Sequence, residues 1–178
     1  IYKTTAYQFN NTEHAANLFG LKEFGNIYSR LGNPTVGALE ARLTALEEGS
    51  MCVALSSGTS AVMYSLINIM SQGDNFVTAN QLYGGTYTMF DNILPEYGID
   101  SKKVDITDLA AVENAIDDKT RAIYCETITN PGLVVADISA LSEIAHSKGI
   151  PLIVDATFTT SAILKPFEYG ADIVVYSL

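Results

Sequence analysis

From about Thr35 to Leu178, short apolar runs alternate with stretches of about ten residues whose apolar positions recur at helical spacing. The apolar runs that we expect to be strands are MCVAL, NFVTA, KKVDI, AIYCET, PLIVDA and DIVVYS. Consecutive apolar residues are typical of strands that are buried on both faces of a sheet. Strands that alternate with helices form βα units. The sequence therefore predicts an α/β fold with a mainly parallel sheet and helices on both faces.

The helices of this pattern have recognisable ends. One helix is expected between Asn33-Pro34 and Gly49, because proline suits the first turn of a helix and glycine its end. Further helices are expected in AVMYSLINIM, in YTMFDNILPEY with a break near Pro95, in DLAAVENAI and in ISALSEIAHSKG. Residues 1–34 show no such period, and we expect them to form an arm that lies on another surface.

Composition limits the classes of function. A chain of 178 residues with 48% hydrophobic and 17% charged residues has enough material for one globular domain. A net charge of −10 opposes binding to nucleic acid, which needs clustered Lys and Arg. No apolar stretch approaches the roughly 20 residues of a membrane span, and residues 1–10 do not resemble a signal peptide. We therefore expect a cytoplasmic protein with no nucleic-acid or membrane partner.

Cysteine and histidine are scarce. Cys52 and Cys125 both lie in apolar, strand-like runs, where an inert buried thiol is expected rather than a disulfide or a nucleophile. His14 and His146 are distant from other ligand types in the sequence. No metal site is predicted.

Chemically unusual loops follow several predicted strands, at the edge of the sheet where α/β proteins bind ligands. Ser56-Ser57-Gly58-Thr59-Ser60 connects MCVAL to an apolar helix. Small residues and free N–H groups at a helix start can bind a phosphate, although an ordinary tight turn with a capping serine has the same sequence. The loop has neither the lysine of a Walker motif nor the spaced glycines of the dinucleotide fingerprint.

Acidic side chains end two other strands. Asp155 closes PLIVDA, where it is either a helix cap or a carboxylate that holds a cationic ligand group. Glu126 begins the loop ETITNPG, in which Asn130, Pro131 and Gly132 favour a turn and also bring an amide to the predicted site.

Tyr83 precedes Gly84 and Gly85, so its ring is either a half-buried anchor or a surface that stacks on a flat ligand. A phosphate-binding loop, a stacking aromatic ring and a carboxylate for a ring cation together describe a flat, phosphorylated, cationic heteroaromatic ligand. Pyridoxal 5′-phosphate (PLP) meets all three requirements.

Six motifs in order resemble one enzyme family. They are YSRLGNPT, SSGTSA, LYGGTY, ETITNPG, VDATF and ADIVVYSL, and they extend over essentially the whole chain. This series resembles the PLP-dependent enzymes of Cys/Met metabolism. The resemblance implies the large domain of a fold-type I transferase, residues 35–178, with a mostly parallel seven-stranded sheet. It also implies an N-terminal arm, residues 1–34, that reaches a neighbouring subunit.

The resemblance implies cofactor-binding roles at individual positions. Gly58 and Thr59 match backbone N–H donors to the cofactor phosphate, and Ser177 matches a serine that contacts it. Tyr28 and Arg30 match a pair that reaches the phosphate of the partner subunit, so at least a homodimer, and in this family a tetramer, is expected.

The remaining roles concern the ring and the substrate. Tyr83 matches the tyrosine that stacks on the pyridine ring and assists proton transfer, and Asp155 matches the partner of the ring nitrogen. Asn130 matches a residue near the ring hydroxyl or the substrate carboxylate. Glu126 matches a position close to the site, and we expect it, with Asn130, to bind the substrate.

In the family, the motif ADIVVxS is followed closely by the lysine that forms a Schiff base with the cofactor. The resemblance therefore implies that this lysine, and a C-terminal substrate domain, belong after Leu178, and that the large domain is truncated before the lysine. Lys165 is not expected to replace it, since Lys165 precedes the last strand. Two positions depart from the family: Ala156 stands where asparagine is common, and Tyr176 where histidine is frequent.

The resemblance also implies a reaction, which is elimination or replacement at the γ-carbon of an amino acid. Ile128 and the ending YSL favour the O-acetylhomoserine sulfhydrylase branch, in which sulfide replaces acetate to give homocysteine. Cystathionine γ-synthase or γ-lyase activity is the alternative. A further alternative is a non-catalytic fragment or assembly module that lacks the Schiff-base lysine.

Overall fold

The computed structural model describes every residue from Ile1 to Leu178. The chain divides into two compact units, Ile1–Ala54 and Leu55–Leu178. The expected boundary between an arm and a large domain, after residue 34, concerns contacts with another subunit and stays a prediction.

The first unit contains two helices, α1 (Thr12–Phe19) and α2 (Pro34–Glu47). Helix α2 confirms the helix expected after Asn33, whose side chain caps it by accepting a hydrogen bond from the Thr35 N–H. Helix α1 was not predicted. The Asn11 side chain caps α1 by accepting from the His14 N–H, and this cap is the signal in the sequence that would have located the helix.

The prediction of a buried strand at MCVAL is wrong. Residues 51–55 form no strand, and the side chains of Met51 and Val53 are 80% and 62% exposed. A strand needs a neighbour that accepts and donates its ladder of hydrogen bonds, and no strand of this chain pairs with the run. The Ala54 N–H instead donates to the carboxylate of Glu40.

The second unit is built around a parallel sheet of five strands in the order β2-β1-β3-β4-β5. The strands are β1 (Asn75–Ala79), β2 (Asp100–Val104), β3 (Thr120–Glu126), β4 (Leu152–Asp155) and β5 (Ile173–Val175). Every residue of β1 is buried, and so are five consecutive residues of β3, which requires cover on both faces of the sheet. The α/β class and the parallel sheet are confirmed, with five strands in this chain.

Five helices accompany the strands. They are α3 (Gly58–Ile67), α4 (Gly84–Thr88), α5 (Leu109–Ala115), α6 (Ile138–Ser147) and α7 (Thr160–Ile163). Helices α5 and α6 pack on each other and on the sheet, and α3 and α4 form a second packed pair. A π-helical turn (Met89–Ile93) and a 3-10 turn (Leu94–Tyr97) follow α4, which confirms the predicted break near Pro95. None of the helices has both the length and the apolar character needed to cross a membrane.

An aromatic cluster holds the centre of the second unit together. Phe90 packs edge-on against Phe76 and Tyr124, with ring centroids 4.7 and 5.1 Å apart. All three side chains are fully buried. The cluster joins the turn after α4 to β1 and β3, and it therefore fixes the base from which the loops after those strands leave the sheet.

The strand order creates a gap for a ligand. The chain leaves β1 towards β2 on one side, and it leaves β3 towards β4 on the other side. Loops that leave neighbouring parallel strands in opposite directions open a crevice at the carboxyl edge of the sheet, which is where α/β proteins bind ligands.

Candidate active site

A cavity of about 310 Å³ lies at this edge of the sheet. Its size is at the lower end of the range that small-molecule sites occupy. Seven of the predicted site residues line it: Gly58, Thr59, Tyr83, Glu126, Asn130, Asp155 and Ser177. The fold therefore brings together side chains that are separated by up to 119 positions in the sequence (177 − 58).

The start of α3 forms one wall of the cavity. Ser57 caps the helix by accepting a hydrogen bond from the Ser60 N–H at 3.1 Å. Gly58 lies so close to Ser177 that a Cβ atom on Gly58 would be 2.5 Å from the Ser177 Cβ. Only glycine permits this approach. The unpaired N–H groups at the helix start therefore face a narrow, polar space that suits an anion.

Asp155 closes β4 and is half-buried. Its Oδ1 atom accepts from the Thr157 N–H at 2.9 Å, and the Tyr124 hydroxyl donates to Oδ2 at 3.4 Å. Burial, with the nearby Asp155 carboxylate, raises the pKa of Tyr124 well above its usual value, so Tyr124 remains a neutral donor. The Thr157 hydroxyl also accepts from the Ser177 N–H at 3.0 Å, which links the Asp155 loop to the wall of the cavity formed by Gly58 and Ser177.

Glu126 closes β3, and its Cα is paired with that of Asp155 across the sheet. The side chain is only 5% exposed. Its Oε1 atom accepts from the Tyr83 N–H at 2.7 Å, and its Oε2 atom accepts from the Asn130 N–H at 3.0 Å. Burial raises the pKa of Glu126, and these two hydrogen bonds oppose that rise.

Tyr83 presents its ring to the cavity from the loop after β1, with 53% of the residue exposed. The ring lies directly over Gly85, where a Cβ atom would be 2.7 Å from the Tyr83 Cε1 atom. A Cβ atom on Gly84 would meet nothing within 4 Å. The lack of a side chain at Gly85 therefore allows the Tyr83 ring to lie against the backbone, whereas a side chain at Gly84 would not affect the ring.

Tyr28 and Arg30 belong to the first unit and are not among the residues that line the cavity. The Arg30 guanidinium lies 5.0 Å from the centre of the Tyr28 ring, within the range of a cation–π contact. The two side chains therefore form a local pair, and their predicted role in a partner subunit stays a prediction.

Six other residues line the cavity and were not among the predicted site residues. They are Ser57, Val62, Thr86, Ile128, Thr157 and Phe158. The signal for Thr157 was its position two residues after Asp155, since an Asp side chain readily accepts from the N–H of the second residue after it. Val62, Thr86 and Phe158 enter the site through the packing of helices and loops, and no local motif indicates them.

The structure supports the predicted inertness of one thiol. Cys125 is fully buried, and burial raises its pKa to about 12. Cys52 is half-buried, outside any strand, and burial together with the Glu40 carboxylate raises its pKa as well. The two cysteines are free, and the structure contains no group of three His, Cys, Asp or Glu side chains that could hold a metal ion.

The sequence pattern of the Cys/Met metabolism PLP-dependent enzymes matches residues 1–178. The chain is 48% identical over 178 residues to an O-acetyl-L-homoserine sulfhydrylase from Leptospira meyeri, and the match covers 100% of this chain and 40% of that protein. The chain therefore spans about two fifths of the length of the curated relatives it matches.

Solved structures agree in fold. A Campylobacter jejuni protein described as an O-acetylhomoserine (thiol)-lyase, with N′-pyridoxyl-lysine-5′-monophosphate, has a TM-score of 0.95 at 44% identity, over 99% of this chain and 44% of that one. Cystathionine gamma-lyase from Lactobacillus plantarum, complexed with L-serine, has a TM-score of 0.88 at 38% identity, over 99% and 44% of the two chains. The fold and the site define a fold-type I large domain. The chain belongs to the Cys/Met metabolism PLP-dependent enzyme family.

Proposed function

We propose that this chain carries the cofactor-binding part of a PLP-dependent O-acetylhomoserine sulfhydrylase, an enzyme that converts O-acetyl-L-homoserine and sulfide into homocysteine and acetate. The observation that carries the proposal is the cavity itself, in which an anion-binding helix start, an aromatic ring and a carboxylate face one space. The identity to relatives named as sulfhydrylases supports the choice of reaction.

The residues of the cavity fit the parts of PLP. The N–H groups at Gly58 and Thr59 suit the phosphate, because the close approach of Gly58 and Ser177 leaves a narrow polar cradle that a Cβ atom would fill. The Tyr83 ring suits stacking on the pyridine ring, and the Asp155 carboxylate suits its protonated nitrogen. When bound, PLP supplies an electron sink for the carbon from which the substrate loses a proton.

The protein's own residues then have separate tasks. Asp155 would hold the proton on the ring nitrogen, and the Thr157 N–H fixes the orientation of this carboxylate. Tyr83 would limit the movement of the ring, and its hydroxyl would be available for proton transfer. Asn130 contributes an amide for the ring hydroxyl or the substrate carboxylate. Apolar Ile128 and Phe158 also line the cavity, where they reduce the access of water.

Assembly is part of the proposal. Tyr28 and Arg30 reach the cofactor phosphate of a partner subunit, so that a complete site needs at least a homodimer, and the enzyme is a cytoplasmic homotetramer. Residues 1–34 are the arm that makes this contact. The likeness to cystathionine gamma-lyase from Lactobacillus plantarum favours γ-elimination from cystathionine as the second candidate reaction.

The test is an assay of the intact natural protein, loaded with PLP, on three substrate sets. We expect homocysteine and acetate from O-acetyl-L-homoserine with sulfide at a kcat/KM at least about tenfold above that for cystathionine formation with cysteine. Cleavage of cystathionine should be slower still. Faster cystathionine cleavage would replace the sulfhydrylase proposal with the γ-lyase alternative, and failure to bind PLP would leave the non-catalytic module.

A Gly85→Ala variant should weaken PLP binding about 3- to 10-fold, because the new Cβ atom displaces the ring of Tyr83 from its stacking position. Gly84→Ala is the matched control, since the same methyl group on the neighbouring residue meets nothing within 4 Å. Titration of the apoprotein with PLP measures both. Equal PLP affinities of the two variants would show that the position of the Tyr83 ring relative to Gly85 does not affect cofactor binding.

A further inference from the structure

Glu126 stands where the two loops that leave the switch point of the sheet come together. It ends β3, beside the point where β1 ends, and its side chain is 5% exposed. The loop after β1 carries Tyr83, and the loop after β3 carries Asn130. Both residues face the cavity.

Each oxygen of the Glu126 carboxylate is already bonded to the protein. Oε1 accepts from the Tyr83 N–H at 2.7 Å, and Oε2 accepts from the Asn130 N–H at 3.0 Å. The donors lie 43 residues before and four residues after Glu126. Hydrogen bonds to an ionised acceptor are about twice as strong as those between neutral groups. One carboxylate thus joins the loop after β1 to the loop after β3.

We propose that Glu126 is a positioning residue, which ties the Tyr83 loop to the Asn130 loop and so sets the width of the cofactor cavity. The assignment of the cavity to PLP rests on the function proposed above, whereas the tie between the loops does not. Each carboxylate oxygen can accept a second hydrogen bond, and Glu126 lines the cavity, so the tie leaves the carboxylate able to contact a substrate as well. The experiment below therefore measures the position of the loops separately from substrate binding.

The tie is strongest with the ionised carboxylate, because protonation turns one oxygen into a donor and a weaker acceptor. Burial opposes ionisation, while the two N–H groups favour it. The neighbouring Asp155 carboxylate also raises the pKa of Glu126. Each of the two carboxylates accepts from its own backbone N–H groups, Asp155 from Thr157 and Glu126 from the two loops.

The test begins with hydrogen exchange in the intact protein without cofactor. Glu126→Gln keeps the shape of the side chain but replaces one acceptor with an NH₂ group, so one loop loses its partner. Amides in at least one of the two peptides that cover residues 80–85 and 127–133 should exchange about tenfold faster or more. Glu143→Gln, which removes the same charge from an exposed position, should leave both peptides unchanged.

The second readout is the cofactor. Glu126→Gln should weaken PLP binding about tenfold and change the circular dichroism of the bound cofactor, while Glu143→Gln should match the wild type. In a double-mutant cycle with Tyr83→Ala, the effect of Glu126→Gln on PLP affinity should shrink, because part of it acts through the position of Tyr83.

The outcomes separate this inference from the proposed function. Unchanged exchange and unchanged PLP affinity in Glu126→Gln, with only a higher KM for the amino-acid substrate, would overturn the positioning role in favour of a substrate contact. Faster exchange in a protein that does not bind PLP would support the tie and reject the proposed function. If Glu126→Gln does not fold, the wild-type protein decides: unprotected amides at Tyr83 and Asn130 would overturn the inference.

Discussion

Replacing Asp155 with asparagine is expected to lower kcat/KM of the PLP-loaded enzyme about 10²- to 10³-fold. The change keeps the shape of the side chain and the bond from the Thr157 N–H to Oδ1, but it removes the negative charge. Loss of one member of a buried ion pair costs about 3–5 kcal/mol. Asp155 is only half-buried, so the lower part of that range applies, and each 1.4 kcal/mol is a factor of ten. The ring nitrogen would then lose its proton, and the cofactor would withdraw electrons poorly.

The absorbance of the bound cofactor separates this effect from a loss of folding. Asp155→Asn should still bind PLP, more weakly, with an altered dependence of the absorbance on pH. Asp118→Asn is the control, because Asp118 is an exposed residue outside the cavity. A variant of Asp155 with the kinetics of the wild type would remove Asp155 from the proposed mechanism.

The strands that were predicted well share one physical property. NFVTA became β1 to the residue, and all of AIYCET except its last residue, Thr127, lies in β3, because both runs are buried on two faces and their apolar residues are consecutive. KKVDI was placed two residues too late: β2 is Asp100–Val104, an edge strand whose polar side chains give little pattern. Burial on both faces of the sheet, rather than strand propensity, made these strands predictable from the sequence.

MCVAL had the same apolar pattern as β1 and failed, because an apolar run becomes a strand only where another strand offers hydrogen bonds. Sequence pattern reports burial preference and says nothing about the availability of a partner. The exposed side chains of Met51 and Val53 show the result. Helix α1 was missed for a different reason: its apolar residues do recur at helical spacing, but the helix has only eight residues and buries only Leu18, so the pattern was too short to be recognised.

The candidate site was predictable in its residues and not in its connections. Loops at the carboxyl ends of parallel strands converge by topology, so Tyr83, Glu126 and Asp155 could be grouped in advance. The strand expected before Gly58 is absent, and Ser177 was identified only through the family resemblance. Both carboxylate oxygens of Glu126 accept hydrogen bonds from backbone N–H groups, and this arrangement depends on the three-dimensional geometry of the loops. No local spacing relates Glu126 to Tyr83, 43 residues earlier. The sequence therefore suggested a substrate contact, whereas the contacts favour a positioning role.

A Gly58→Ala variant is expected to bind PLP about 10- to 100-fold more weakly. The added Cβ atom would lie 2.5 Å from the Ser177 Cβ and 3.0 Å from the Ser177 Cα, so a side-chain rotation of Ser177 cannot relieve the contact. The start of α3 must move away from Ser177, which widens the phosphate cradle. Each lost hydrogen bond to a charged group costs about 1.5–3 kcal/mol, and one such bond accounts for the expected range.

Gly37→Ala provides the comparison, because a Cβ atom at Gly37 meets nothing within 4 Å and alanine favours the helix α2 that contains it. Titration with PLP and with inorganic phosphate as a competitor tests where the loss arises. If the cradle holds the phosphate group, Gly58→Ala should weaken both ligands, whereas Gly85→Ala should weaken PLP and leave inorganic phosphate unaffected. Normal phosphate competition in Gly58→Ala would place the anion elsewhere in the cavity, and the assignment of the helix start would then be wrong.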